Sequence, residues 1–134
     1  MNVTEKISKF LTDAGAFFVA TVDGDQPKCR PFGLHKVIDD KIYFGVGDFK
    51  DAYKQMCNNP KVEIVALKNT DWLRLYGKVV FEKDDAIANQ ILEEFPYLKD
   101  IYNEKTGYKM AVFHLEEATA EFRSIMKVEE SYQF

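Results

Sequence analysis

Residues 61–83 read KVEIVALK (61–68), NTD (69–71) and WLRLYGKVVFEK (72–83), and the fold turns on how this stretch is read. Successive side chains of a strand point to opposite faces, so 72–83 separates an apolar row, Leu73, Leu75, Gly77, Val79 and Phe81, from a second row of Trp72, Arg74, Tyr76 and Lys78. The first row is a core face. KVEIVALK carries the same period of two, and Asn69-Thr70-Asp71 is a short polar connection of the kind that joins antiparallel neighbours. Strands of a parallel sheet, buried on both sides, would read as unbroken apolar runs instead.

The same period extends in both directions. AFFVATV (16–22), the turn VDGDQP and KCRPFGLHKVI (28–38) predict a hairpin, and IDDK then leads into KIYFGV (41–46), which implies three consecutive antiparallel strands. MAVFHLE (110–116) and TAEFRSIMKV (119–128) are strand-like as well. Helical spacing interrupts the meander three times. Residues 3–14 place Ile7, Phe10 and Leu11 on one face, with Asn2 and Glu5 resembling a capping box and Gly15 at the end. Residues 50–58 align Ala52, Tyr53, Met56 and Cys57 before Pro60, and 84–95 align Ile87, Ile91, Leu92 and Phe95 before Pro96. The stretch 96–108 follows no single period and has room for one more short helix. About seven strands and two or three helices, without strand-helix alternation, predict a mainly β protein: an antiparallel barrel with peripheral helices in one domain over 1–134.

Composition narrows the function. The chain has 134 residues, 46% of them apolar, enough for a core without disulfide or metal staples. A net charge of −4 gives a field that repels polyanions, so nucleic acid and anionic membrane are not expected partners. The charged N-terminus and the lack of a long apolar run predict a cytoplasmic protein. Cys29 and Cys57 have no CxxC or CxxH neighbour, so both are expected reduced and buried, with no metal site. Charge is unevenly spread. Residues 28–78 hold ten Lys or Arg and six Asp or Glu, net +4, whereas the remainder hold eight and sixteen, net −8. Eleven Phe, seven Tyr and one Trp are more rings than a small core readily absorbs, and some are expected at an interface or against a planar ligand.

The chemistry-bearing residues gather in that basic segment. Strand alternation puts Arg30 on one face with Phe32, Leu34 and Lys36. Trp72, Arg74 and Tyr76 are residue types enriched at interface hot spots. Lys50 and Lys54 lie four apart near a helix N-terminus, where free backbone N–H groups favour an anion, with Asp48 and Asp51 as candidate caps. Catalytic motifs are missing: His35 and His114 have no Ser or Asp at a recognisable spacing, and Gly45-Val46-Gly47 is too short for a phosphate loop. The catalytic residues are therefore unknown, and any reactivity is expected to come from a cofactor.

The order of Arg30-Pro31-Phe32, KIYFGVG, KDAYKQMCNNPKVEIVAL and WLRLYGKVVFE resembles the pyridoxamine 5′-phosphate oxidase-like, FMN-binding split-barrel family, over roughly residues 3–128. It is most similar to the small flavoprotein branch that includes nitroimidazole-resistance and general-stress-type proteins. The resemblance implies a split β-barrel homodimer with an FMN in each of two interface clefts. It implies that Arg30, Pro31 and Phe32 lie along the flavin and its phosphate, and that Tyr43 to Gly47, with Gly45, Val46 and Gly47 at the strand end, supply backbone contacts near the ring. Lys50, Lys54 and Gln55 would hold the phosphate and ribityl end, while Trp72 and Arg74 would reach the cofactor bound mainly by the other subunit. A flavin phosphate, close to doubly charged, needs several charge-assisted donors, which such a set can provide. Three positions depart from the family pattern. Val46 stands where a hydroxyl residue is common, Ala52 replaces a basic residue, and the tail EESYQF lacks the Trp and Arg that pyridoxamine 5′-phosphate oxidases use for substrate.

The expected function is an FMN-dependent oxidoreductase passing electrons from a reduced nicotinamide to a small-molecule acceptor. The alternative is a non-catalytic binder or sensor of flavin, haem or another planar ligand, with His35 or His114 as the axial ligand if haem is bound. A dimeric barrel whose pocket has decayed is the third reading.

Overall fold

A computed structural model describes all 134 residues. Helix α1 (Val3–Ala14) starts where Asn2 Oδ1 accepts the Glu5 N–H at 2.9 Å and ends at Gly15, whose φ of 88° suits a residue without a Cβ. Eight strands follow: β1 (Phe17–Asp23), β2 (Gln26–Phe32), β3 (His35–Ile38), β4 (Lys41–Gly47), β5 (Lys61–Lys68), β6 (Asp71–Phe81), β7 (Met110–Arg123) and β8 (Val128–Gln133). Helix α2 (Asp51–Asn58) joins β4 to β5. Helix α3 (Ala86–Glu94) and a 3-10 turn at Pro96–Asp100 join β6 to β7. No helix is long and apolar enough to cross a membrane.

All pairings are antiparallel in the order β2-β1-β5-β6-β7-β4-β3, with β8 beside the C-terminal half of β7. The two edge strands, β2 and β3, are separated in sequence only by Gly33 and Leu34. So short a link forces the edges together, and the sheet rolls into a split barrel. Phe17 of β1 confirms the curvature, with its ring 5.7 Å from Phe44 of β4 and 6.0 Å from His35 of β3, strands far apart in the sheet order. Phe17, Phe44, Phe113, Ile64, Leu73 and Leu75 fill the interior, and Ile7 and Leu11 of α1 and Met56 of α2 pack into it. Each such side chain contributes about 2–3 kcal/mol of burial. A smaller cluster, with Tyr43, Ile91, Leu98 and Val112, lies where α3 and the 3-10 turn cover the opposite face of β3, β4 and β7.

Four expectations change. The stretch 28–38 is not one strand: it bends at Gly33-Leu34 into β2 and β3, which belong to separate hairpins at the two edges. The stretches 110–116 and 119–128 are joined into a single strand, β7, ending at Arg123, and residues 128–133 pair back onto it as β8. A bulge makes that continuity possible. The β6–β7 register shifts between Tyr76 and Lys78, Glu117 takes φ 49°, and a Cβ on Gly77 would sit 2.8 Å from Ala118 Cβ and 2.9 Å from its Cα. Cys29 and Cys57 are free but exposed, Cys29 because it occupies the outward row of an edge strand. Finally, neither Asp48 nor Asp51 caps α2; Lys50 takes the N-cap position with no side-chain hydrogen bond, and Asp48 Oδ1 accepts the Lys109 N–H instead.

Candidate functional site

Strand β2 brings Arg30 to the inward row opposite Val19, and the guanidinium is held there by three hydrogen bonds. Nη1 donates to Thr21 Oγ1 at 2.7 Å and to the Val19 carbonyl at 3.2 Å, and Nη2 donates to Gln55 Oε1 at 2.9 Å. Thr21 Oγ1 in turn donates to the same Gln55 oxygen at 2.6 Å. This closed triangle ties β1, β2 and α2 together and fixes the arginine before any ligand arrives. It also commits the carbonyl end of Gln55, leaving its amide NH2 for a further partner.

Beside Arg30 is a cavity of about 210 Å³ bounded by Pro31 to Leu34 on one side and by Gly45, Val46 and Gly47 on the other, with Lys50, Ala52 and Tyr102 at its ends. Glycine at position 45 lets Leu34 and Met110 pack against the strand backbone, since a Cβ there would lie 2.8 Å from the Met110 sulfur and 2.9 Å from Leu34. Arg30, Lys50 and Ala52 also line an adjoining cavity of about 490 Å³, together with Lys28, Phe49, Gln55, Asp23 and Asp51. Three cations against two carboxylates leave the wider space net positive, a balance suited to an anionic group. Burial, and then the nearby Asp48 carboxylate, push the Tyr102 phenol above its ordinary range, so it stays protonated at neutral pH.

Seven of the residues singled out in the sequence thus line one cavity: Arg30, Pro31, Phe32, Gly45, Val46, Gly47 and Lys50. Gln55 joins them through Arg30. Tyr43 lies elsewhere, its ring buried beneath α3 and edge-on to His114. Lys54 is exposed on α2 and lines neither cavity. Trp72 and Arg74 sit on the outer face of β6, away from Arg30 within one chain. There Trp72 is flanked by Arg74 and Arg123, whose guanidinium carbons lie 4.9 and 4.8 Å from the ring centre. Arg74 faces Glu63 at 3.3 Å and Glu121 at 3.6 Å in a groove of about 630 Å³. The Nε atoms of both arginines are buried without an aligned hydrogen bond.

Sequence reasoning missed Thr21, Lys28, Phe49 and Tyr102. Thr21 had a readable signal, a polar residue in the inward row after Phe17 and Val19. Tyr102 had none, because it lies in the aperiodic stretch after the 3-10 turn. Neither histidine lines the Arg30 cavity. His35 approaches the Ser8 and Thr12 hydroxyls of α1, and His114 lies between Glu82 and Glu116.

A rolled antiparallel sheet with an arginine-anchored cavity where its two edges meet defines a split-barrel protein. The sequence profile of the family described as pyridoxamine 5′-phosphate oxidase matches residues 3–123, and the chain belongs to that family. Among solved structures, a NimC/NimA family protein from Clostridium acetobutylicum is 32% identical, with 100% of this chain and 95% of that one covered and a TM-score of 0.87. General Stress Protein 26 from Bacillus anthracis shares the fold at 18% identity, full coverage of both chains and a TM-score of 0.72. A heme binding protein from Mycobacterium smegmatis shares it at 12% identity, with 99% of this chain and 58% of that one covered and a TM-score of 0.70. No curated protein matches the chain.

Proposed function

We propose that this chain is a cytoplasmic, FMN-binding flavoprotein that passes electrons from a reduced nicotinamide to a small oxidised acceptor, acting as a homodimer. The observation that carries this reading is the cavity at the meeting edges of the barrel. It is lined by seven of the residues that the family resemblance assigns to the cofactor, and it opens into a basic space with Lys28, Arg30 and Lys50. The residues present fit the group. Arg30 is preorganised by Thr21, Val19 and Gln55, and Lys28 and Lys50 supply charge for a phosphate. Val46 offers only its backbone where the family often has a hydroxyl, which lowers the expected affinity. When bound, FMN supplies the two-electron chemistry; the chain positions the ring and neutralises the phosphate.

The homodimer reading rests on the outer face of the sheet. Leu67 is 61% exposed beside Trp72, Phe18 and Tyr76 are exposed on the same face, and the guanidinium groups of Arg74 and Arg123 flank the Trp72 ring. A second copy of the chain would cover these groups and bring Trp72 and Arg74 towards its own cofactor site. Trp and Arg are the residue types most used as interface anchors.

The test is spectroscopic. Purified protein titrated with FMN should quench flavin fluorescence to saturation, Lys50→Glu should weaken the binding about tenfold through the lost charge pair, and anaerobic NADH or NADPH should bleach the bound flavin band. Saturable binding without bleaching points to the non-catalytic binder, and an intense Soret band on haem titration points to haem as the planar ligand. Protein that binds no FMN overturns the proposal.

A further inference from the structure

A second cleft, of about 290 Å³, lies between α3 and the loop that enters β7. Its floor is apolar, formed by Ala88, Leu92 and Met110, and its walls include the rings of Tyr102 and Tyr108. Tyr108 stacks on Phe49 with ring centres 4.0 Å apart and planes 25° from parallel, although the two residues are 43% and 38% exposed. The loop is tied to the turn before α2 by two hydrogen bonds: Asp48 N–H to the Lys109 carbonyl at 2.9 Å, and Lys109 N–H to Asp48 Oδ1 at 3.1 Å. The Tyr108 ring is thus held in place, and the cleft lies next to the cavity described above because Tyr102 lines both spaces.

The polar groups of this cleft select what it can take. Asn103 is used up inside the loop: its amide donates to the Lys99 and Asp100 carbonyls and its oxygen accepts the Thr106 N–H. Asn89, exposed on α3 at the edge of the cleft, has a side-chain amide free of intramolecular hydrogen bonds. Asp85 and Glu104 outnumber Lys109, which lies 3.8 Å from Asp85. An anion would meet net negative charge there. The volume lies just below the range of small-molecule sites, about 300 to 1,000 Å³, and leaves no room for a dinucleotide.

We infer that this cleft binds a small planar aromatic molecule without negative charge, laid against the Tyr102 and Tyr108 side chains over an apolar floor with its heteroatom at Asn89. Its assignment as the acceptor's site rests on the flavoprotein reading; the binding itself does not.

The probes are quinoline and quinoline-2-carboxylate, titrated into the full chain and followed by ligand-observed saturation-transfer NMR and calorimetry. Quinoline should bind saturably and about tenfold more tightly than its carboxylate, as expected for like-charge exclusion at a rim. Asn89→Trp, a surface change that fills the cleft, should cost quinoline at least about tenfold by steric exclusion and leave FMN binding unchanged. Saturating FMN should not displace quinoline. Absence of saturable binding, an Asn89→Trp variant that binds like wild type, or displacement by FMN would each overturn the inference. Failure of FMN alone to bind, with quinoline binding intact, strikes only the flavoprotein reading.

Discussion

Thr21→Val probes the anchoring of Arg30 with little change of shape. Thr21 is 2% exposed, and its hydroxyl accepts from Arg30 at 2.7 Å while donating to Gln55 at 2.6 Å. Valine preserves the volume and removes both bonds. A buried bond to a charged group contributes about 1.5–3 kcal/mol and a neutral one about 1, while the added methyl returns a little under 1, so the net loss is about 2 kcal/mol. For a domain of this size that corresponds to a fall in Tm of roughly 6–10 °C. Arg30 keeps its bonds to Val19 and Gln55, so it stays in the cavity but swings more freely, and FMN affinity should drop about five- to tenfold as preorganisation is lost. Urea denaturation at fixed protein concentration and a flavin fluorescence titration measure the two effects. Thr21→Ser retains the hydroxyl and should recover most of both. If Thr21→Val lies within about 0.5 kcal/mol of wild type, or if Thr21→Ser is equally damaging, the triangle does not hold Arg30 and the reasoning fails.

Gly77→Ala should cost about 2–3 kcal/mol in urea denaturation, because the new Cβ meets the Ala118 backbone, which the bulge prevents from moving aside; an unchanged midpoint would show that the bulge can relax. Leu67→Glu places a charge beside Trp72 on the outer face and should weaken self-association about a hundredfold with little effect on monomer stability; sedimentation showing the wild type to be monomeric, or the variant still dimeric, contradicts the interface. Burial against α1 and the Phe17 ring lowers the His35 pKa below its usual value of 6.5. The unfolded chain then binds the proton more readily, so the stabilisation is complete above the unfolded value and is lost as pH falls towards the folded one. Denaturation midpoints should therefore decline as pH falls below about 6.5, the unfolded value, and His35→Gln should flatten that decline; identical slopes in the two proteins would show that His35 plays no part.

Much of the fold could be read locally because alternation and caps are local properties. The row Leu73, Leu75, Gly77, Val79, Phe81 faces the barrel interior, with Phe81 partly buried at the end of β6, and Asn2 caps α1 as its sequence suggests. The bend at Gly33-Leu34 was missed: Pro31 and Gly33 allow a break in 28–38, but only the need to close the barrel decides that this one run of residues serves two edges. The same holds for β8, whose six residues are mostly exposed and polar and whose pairing depends on the free side of β7. The burial of Cys29 was misjudged for a related reason, since burial belongs to the strand's place in the sheet and not to the residue type, and Cys57 is exposed near the end of α2.

The site divides along the same line. By itself the sequence determined which residues carry the charge and the rings: the net +4 segment from 28 to 78, with Arg30, Gly45 to Gly47, Lys50, Trp72 and Arg74 in a fixed order. Only the tertiary structure decided which of them meet. Rolling the sheet brings Arg30 on β2 to the same cavity as Gly45 and Gly47 on β4, the first strand and the last but one in the sheet order, and leaves Trp72 and Arg74 on the outer face. It also brings Tyr102, from a stretch with no period of its own, to the wall between two cavities. Side-chain chemistry and alternation are written residue by residue. Proximity between distant strands is a property of the closed sheet, because no single segment contains the contact that closure creates.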